Sequence, residues 1–489
     1  MMHRVEWCGT GLAMAMMLAL TSIGATIQPA ETATESQSPG QATDQTAEMT
    51  GPPSTLRRPV TDVMHGEEII DYYRWLEPLE ADSEAVREWT TAQNEYTRAV
   101  LESVPGRDAL EERLSELLQV GSISTPKMRG NHYFYTKREG DQNQPVLYVR
   151  TGVDGDSRAL LDVNALDAEG LYALDWWEPN PDGSLLAFGL SYAGDEMTVA
   201  YILDTTTGEW LADEIRGKAD FSGWAPGGRA FLYSILERPE DAYSRATKWH
   251  VVGRHHRQDP VLLRQEEPSR IPWGVLSDNG RWISVVYFEG WAKQDLYAVD
   301  AHAWLRTGEP EMTPIAEGIE ARFSPSGVVG DTLYMFTTLE APNGKLVAVD
   351  LNDPVREKWA DVIPHREDAV LNSVSLAKGM LVANYQKNAT TRLERFTLDG
   401  ESLGQVWLPG LGSATIATHH DREEAFIKYE SFNEPDSVYH INLRTDEHEL
   451  WARPAVPVDS ELLTVRQEWT TSKDGTQVPM FIVHRTDLE

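Results

Sequence analysis

The spacing of apolar positions changes character near residue 127. Ahead of it, two stretches place apolar residues three or four positions apart, the period of one helix face. In the first, Val86, Trp89, Tyr96 and Val100 share a stripe with Gln93, and Ser83 stands where an N-cap would. In the second, Leu110, Leu114, Leu117 and Leu118 form the stripe, with Asp108 and Glu111 spaced like a capping box. Beyond Lys127 the chain turns to short apolar runs parted by Gly-containing turns, which predicts strands.

Those strands repeat. A turn followed by an apolar strand recurs around Gly130, Gly183, Gly227, Gly280, Gly330, Gly379 and Arg422, at separations of 53, 44, 53, 50, 49 and 43 residues. A second track, through Tyr148, Tyr201, Trp249, Tyr297, Val347, Glu394 and Tyr439, keeps step at 53, 48, 48, 50, 47 and 45. Two tracks sharing one period suit the blades of a β-propeller, each of four antiparallel strands, and seven copies predict seven blades. An irregular β-sandwich is the alternative. In a propeller, Trp176, Trp177, Trp224, Trp273 and Trp282 fall between blades as core rather than as ligand platforms.

Composition narrows the partners. The net charge is −34, from 77 acidic and 43 basic residues, so nucleic acid and anionic lipid are not expected as partners. Either cationic peptides are attracted or the charge only keeps the surface solvated. The start pairs Arg4 with an apolar run from Gly11 to Leu20 and small residues at Gly24 and Ala25, the layout of a secretory signal peptide. Export to a periplasmic or secreted location is therefore expected. The one cysteine, Cys8, leaves with that peptide, so no disulfide or thiolate site is expected. Residues 26–54, rich in Thr, Ser, Gln, Ala and Pro, read as a disordered linker.

The ending poses its own problem. Lys473-Asp474-Gly475-Thr476 is a hairpin turn, and the strand after it, "VPMFIV", is apolar on both faces. Such a strand belongs inside a covered sheet. The run "MHGEEIIDYYRWLE" (64–77), followed by "REWTTAQNEYT" (87–97), resembles the N-terminal signature of the prolyl oligopeptidase family. The stretches "YFYTKREGDQNQPVLYV", "LSYAGDEM", "KWADVIPHREDAVL" and "YESFNEPDSVYHINL" are similar to its propeller blades, and "TSKDGTQVPMFIVH" to its return into the hydrolase domain. Tyr72 stands where the family commonly has Pro, Val63-Met64 where it has Asp-Tyr, and "VVGRHHRQDP" (251–260) matches poorly.

The resemblance implies a mainly β protein, a seven-bladed β-propeller with an N-terminal helical segment. The residues ahead of it are expected to be a signal peptide at 1–25 and a disordered linker at 26–54. Next come a helical segment at 55–126 that packs on the hydrolase domain in relatives, and the propeller at 127–456. At 457–489 lies the start of an α/β-hydrolase domain whose remainder is absent from these residues. It also implies a serine-type endopeptidase that cleaves short peptides after proline, with an oligopeptide as partner and the propeller as the gate.

Catalytic residues are not expected within this chain. No Gly-x-Ser-x-Gly elbow occurs, and no Asp and His follow such a serine. There is no His-Glu-x-x-His and no phosphate-binding glycine loop, so no metal or cofactor is expected. His255-His256 and His419-His420 read as exposed loop pairs, with a metal site as the alternative. Asn388-Ala389-Thr390 matches a glycosylation acceptor, which matters only in a eukaryotic secretory route. Two rival functions stay open: a family member preferring basic residues, which suits the acidic surface, and a stand-alone propeller that binds peptides or a partner protein.

Overall fold

A computed structural model describes residues 51–78, 83–457 and 459–488. The expected signal peptide and nearly all of the expected linker lie outside the described residues. The described chain divides into one unit ending at Leu118 and another running from Gln119.

The first unit opens with a hairpin, Val60–Met64 paired with Glu67–Asp71. Its turn uses His65 and Gly66, both at positive φ. A helix then spans Glu84–Glu102, and the Ser83 side chain accepts a hydrogen bond from Val86 N, as its position predicts. Its stripe packs on the incoming strand: Trp89 Nε1 donates to Thr55 Oγ1 at 3.0 Å, and Gln93 Nε2 to the Pro53 carbonyl at 2.8 Å. Gln93 thus serves as a hydrogen-bond donor inside an apolar stripe. The second helix, Arg107–Leu118, starts one residue before Asp108, so the expected capping box does not form; Glu111 pairs with Arg107 at 2.7 Å instead. Its leucine stripe is uncovered among the described residues, Leu110 and Leu118 being 59% and 70% exposed.

The second unit holds seven sheets arranged as blades, each built from consecutive segments of chain. The first strands of the last six blades are Tyr172–Pro179, Asp220–Trp224, Ile271–Leu276, Phe323–Val329, Val370–Ala377 and Ser413–Ala417. First strands of neighbouring blades touch, which places them innermost. In blade 1 that position is shared by Ser122–Ile123 and Lys127–Arg129, separated where Pro126 has no N–H to give. The blade therefore begins ahead of the expected boundary at Lys127. Close approach of inner strands uses glycine: Gly223 and Gly327, at φ +133° and +150°, sit at bulges where a Cβ would meet Leu276 at 2.8 Å and Leu376 at 2.3 Å.

Seven apolar clusters fill the seven seams. Phe134 with Phe188 occupies the first, Tyr233 with Ile202 the second, and Phe323 with Leu296 the fourth. The tryptophans do what a propeller requires of them. Trp224 and Trp282 are buried, and Trp176, Trp177 and Trp273 pack half-buried against the clusters. Their indole N–H groups also tie blades together: Trp176 donates to Ala219 O, Trp224 to Glu178 O, and Trp282 to Asp331 Oδ1.

After the last blade, Leu463–Thr471 and Gln477–Arg485 pair as the terminal hairpin, with Gly475 at φ +89° in the turn. It rests on blades 6 and 7. Gln467 Nε2 donates to Asn388 O at 2.7 Å, Asn433 Nδ2 to Leu463 O at 3.1 Å, and the Phe432 and Phe481 rings lie 5.3 Å apart. These contacts leave Trp469, Val478, Met480 and Val483 exposed, so the apolar strand is not inside a covered sheet among the described residues.

Candidate functional site

Four antiparallel strands return a blade's chain to the side where it started. Every inner strand therefore begins, and every outermost strand ends, at one mouth of the axial channel. The chain enters blade 1 and leaves blade 7 at this near mouth; the turns between first and second strands ring the far mouth.

At the near mouth, Arg270 and Arg322 stand immediately ahead of the inner strands of blades 4 and 5, and Arg366 just ahead of that of blade 6. Arg270 reaches Glu289 at 2.7 Å and Asp295 at 2.6 Å, with its guanidinium 4.3 Å from the Tyr287 ring centroid. Arg366 reaches Asp368 and Glu394, both at 3.0 Å. The bonds from Arg366 and Lys387 hold Asp368 well below the usual carboxylate range. Arg322 differs: its guanidinium lies over Phe336 at 5.4 Å, no carboxylate among the described residues reaches it, and burial lowers its pKa. A half-buried arginine without a counter-charge can take a carboxylate from a ligand.

The far mouth is crossed. His420 Nδ1, on the turn of blade 7, lies 3.4 Å from Asp278 Oδ2, on the turn of blade 4. Blades 4 and 7 stand on opposite sides of a seven-membered ring, so this contact spans the axis. The turn is fastened at its base, where Thr418 Oγ1 donates to Leu376 O at 2.7 Å and Lys378 N to Arg422 O at 2.9 Å. His419 pairs with Asp421, but burial and the facing charge of Arg129 pull its pKa down to about 4. It is thus neutral and mostly enclosed rather than the exposed loop histidine expected. His255 does lie exposed, with His256 half-buried beside it. No group of three or more ligating side chains suited to a metal occurs among the described residues.

The seam between blades 7 and 1 closes the ring, and no strand pairs across it. Its core is the smallest of the seven: Ile123, Met128, Tyr133, Tyr135, Phe426 and Val438. At its edge sits Glu424, the first residue of the second strand of blade 7. Tyr133 Oη donates to it at 3.0 Å, His440 Nε2 lies 3.2 Å away, and Arg422 pairs with it while also donating to Gly130 O. Burial would raise the Glu424 pKa, but these donors outweigh it and hold the group at about 2. Trp451 adds a bond to Val153 O at 3.3 Å and a face for the Arg150 guanidinium at 4.9 Å.

Apart from the two histidine pairs, none of these residues stands out as a site in the sequence. The arginines recur at nearly the blade period, a signal that was open to reading. Asp278 with His420 and Tyr133 with Glu424 join residues far apart in the chain, and no local pattern marks them.

The family model described as "Prolyl oligopeptidase, N-terminal beta-propeller domain" matches residues 52–454. The prolyl endopeptidase of Elizabethkingia meningoseptica is 27% identical over 448 residues, covering 89% of this chain and 62% of that protein. The dipeptidyl aminopeptidase BI of Pseudoxanthomonas mexicana is 25% identical over 470 residues, covering 89% and 63%. A solved structure from a study of two prolyl endopeptidases aligns with a TM-score of 0.80 at 32% identity, over 89% of this chain and 65% of its own. Prolyl oligopeptidase B from Galerina marginata, bound to a 35mer hydrolysis and macrocyclization substrate, shares the fold with a TM-score of 0.78 at 24% identity. The chain spans less than two thirds of the length of these relatives.

Proposed function

The chain belongs to the prolyl oligopeptidase family, and we propose that it forms the substrate-admitting portion of a serine-type endopeptidase that cleaves short peptides after proline. The observation that carries this reading is the crossed far mouth. With His420 and Asp278 spanning the axis, a peptide reaches the channel from the near mouth or through the seam between blades 7 and 1. Arg322 at the near mouth supplies an unpaired cation for a peptide carboxylate. Bond cleavage is assigned to residues outside this chain, since no glycine-flanked serine elbow is present.

The test separates admission from chemistry. The purified chain should neither hydrolyse proline-containing chromogenic peptides nor take up a serine-directed phosphonate; stoichiometric labelling would overturn the assignment. Translating the gene past codon 489 decides against the stand-alone propeller if an in-frame, glycine-flanked serine follows.

Export is part of the same proposal. Arg4, the Gly11–Leu20 run and the small residues near Ala25 support it, and no helix among the described residues is long and apolar enough to cross a membrane. N-terminal sequencing of secreted material should start between Thr26 and Glu31. An intact Met1 on exported protein counts against cleavage.

A further inference from the structure

The loops joining third and fourth strands occupy equivalent places in all seven blades. Six of them carry a net negative formal charge or none. The loop of blade 3, between strands ending at Val251 and starting at Val261, carries Arg254 and Arg257 against Asp259 alone, with His255 and His256 between them. Its sequence, "VVGRHHRQDP", is also one that matches the family's blades poorly.

This loop folds over the outermost strand of blade 2, Trp210–Ile215, and is fastened there from beneath. His250 is fully buried between two carboxylates, Nε2 at 2.9 Å from Asp213 Oδ1 and Nδ1 at 2.8 Å from Asp259 Oδ2. Burial alone would lower the His250 pKa, but the two carboxylates outweigh it and push it up to about 9. Tyr233 Oη donates to Asp259 at 2.8 Å, and Gly253 N to Asp213 at 2.6 Å. The loop is therefore held at both of its ends by one buried charged network that joins two blades.

Above the network lies a cavity of about 320 Å³ lined by Arg216, Arg254, His255, His256 and Arg257, with Asp213 and Glu214 among its walls. Arg216 is paired with Glu214 at 2.5 Å. The guanidinium groups of Arg254 and Arg257 have no carboxylate partner among the described residues, although acidic residues outnumber basic ones 77 to 43. The rings of His255 and His256 stack 5.0 Å apart at 18°. Two unpaired guanidinium forks on an anchored loop offer more donors than the two oxygens of a carboxylate can use. A tetrahedral oxyanion can engage both forks at once. Asp213 and Glu214 in the walls disfavour a long polyanion, which would bring further charge against them.

We propose that this cavity binds a single phosphoryl group, as inorganic phosphate or as a phosphomonoester. The site is separate from the axial channel, and its occupation does not depend on peptide admission. The test is calorimetric titration of the full chain at neutral pH with inorganic phosphate and with glycerol 2-phosphate, acetate serving as the carboxylate control. Saturable one-to-one binding is expected, weakened at least about tenfold in the Arg254→Gln/Arg257→Gln double variant, a loss of about 1.4 kcal/mol. Both arginines are exposed, so an unchanged thermal melt shows that the variant is folded. Tighter binding of the ester assigns the site to a phosphorylated molecule, and tighter binding of phosphate to the free ion. Absence of saturable binding by either, equal affinity in the double variant, or acetate binding as tightly as phosphate each overturns the proposal.

Discussion

The seam between blades 4 and 5 and the seam between blades 7 and 1 occupy equivalent places in the ring and are built differently. The first is an apolar interface around Phe323, Leu333, Met335 and Val349, all fully buried, with Trp282 and Arg281 fixed to Asp331 at its edge. The second has the smallest apolar cluster of the seven, and the groups around Glu424 supply a charged cluster at its edge. A repeat makes every blade alike along its backbone, yet only successive blades are covalently joined. Where the first and last meet, side chains alone hold the ring. Apolar burial is nearly indifferent to pH, whereas a charge cluster is not. Of the two, the first seam is thus unconditional and the second conditional, at the place where an opening would widen the way to the channel.

The largest effect expected from breaking this contrast is on the unconditional side. Phe323→Ala removes a side chain with no exposed surface and leaves a cavity between two covalently joined blades. It should cost about 3–5 kcal/mol in denaturant unfolding. A loss under about 1 kcal/mol would mean that the seam repacks and the comparison is weaker than drawn.

Glu424→Gln sharpens the conditional side. The glutamine keeps the shape but withdraws the charge from Arg422 and His440, which should cost about 1–3 kcal/mol. Amide exchange at fixed pH should speed up in the strands of blades 1 and 7 and stay unchanged in those of blades 4 and 5. Wild-type protein should show the matching pH window. The Glu424 pKa falls from 4.5 to about 2 on folding, so its contribution is present above about 4.5 and is lost as pH drops toward 2. The His440 pKa is raised from 6.5, chiefly by its hydrogen bond to Glu424, so its contribution is present below 6.5 and is lost as pH climbs through the raised value. The seam should be tightest between these limits. Uniform acceleration across all blades would show that the seams do not differ.

How much of this was legible follows from how local each feature is. Turn-and-strand tracks are local, and they placed the blades around Gly183 or Gly280 without any knowledge of contacts. The tryptophans could be assigned to seams because a large ring in a regular blade has nowhere else to go. The helix over Glu84–Glu102 could be read from its stripe and its Ser83 cap, but its neighbour could not be capped as expected, because the turn at Gly106 brings Arg107 into the helix ahead of Asp108. Tyr133 and Glu424 stand 291 positions apart, and nothing near either one announces the other. His419 reads as exposed because its neighbours are polar; its burial, and the charge of Arg129 from blade 1 that helps keep it neutral, are not local to it in sequence.

The smallest expected effect concerns the contact across the axis. His420 and Asp278 are both largely solvent-exposed, so removing their attraction with His420→Ala should change global stability by no more than about 1 kcal/mol. Its consequence is geometric. The contact ties blade 7 to blade 4, the opposite side of the ring, and so restrains one wall of the conditional seam from a direction that the seam's own residues do not. With it gone, amide exchange in blade 7 should rise modestly while blade 4, held by two apolar seams, stays protected. A cysteine pair at positions 278 and 420, bridged by a short bismaleimide, should do the reverse and slow blade 7. If the pair cannot be bridged in folded protein, the turns do not meet across the axis. The far mouth is then open, and a peptide has a third way in.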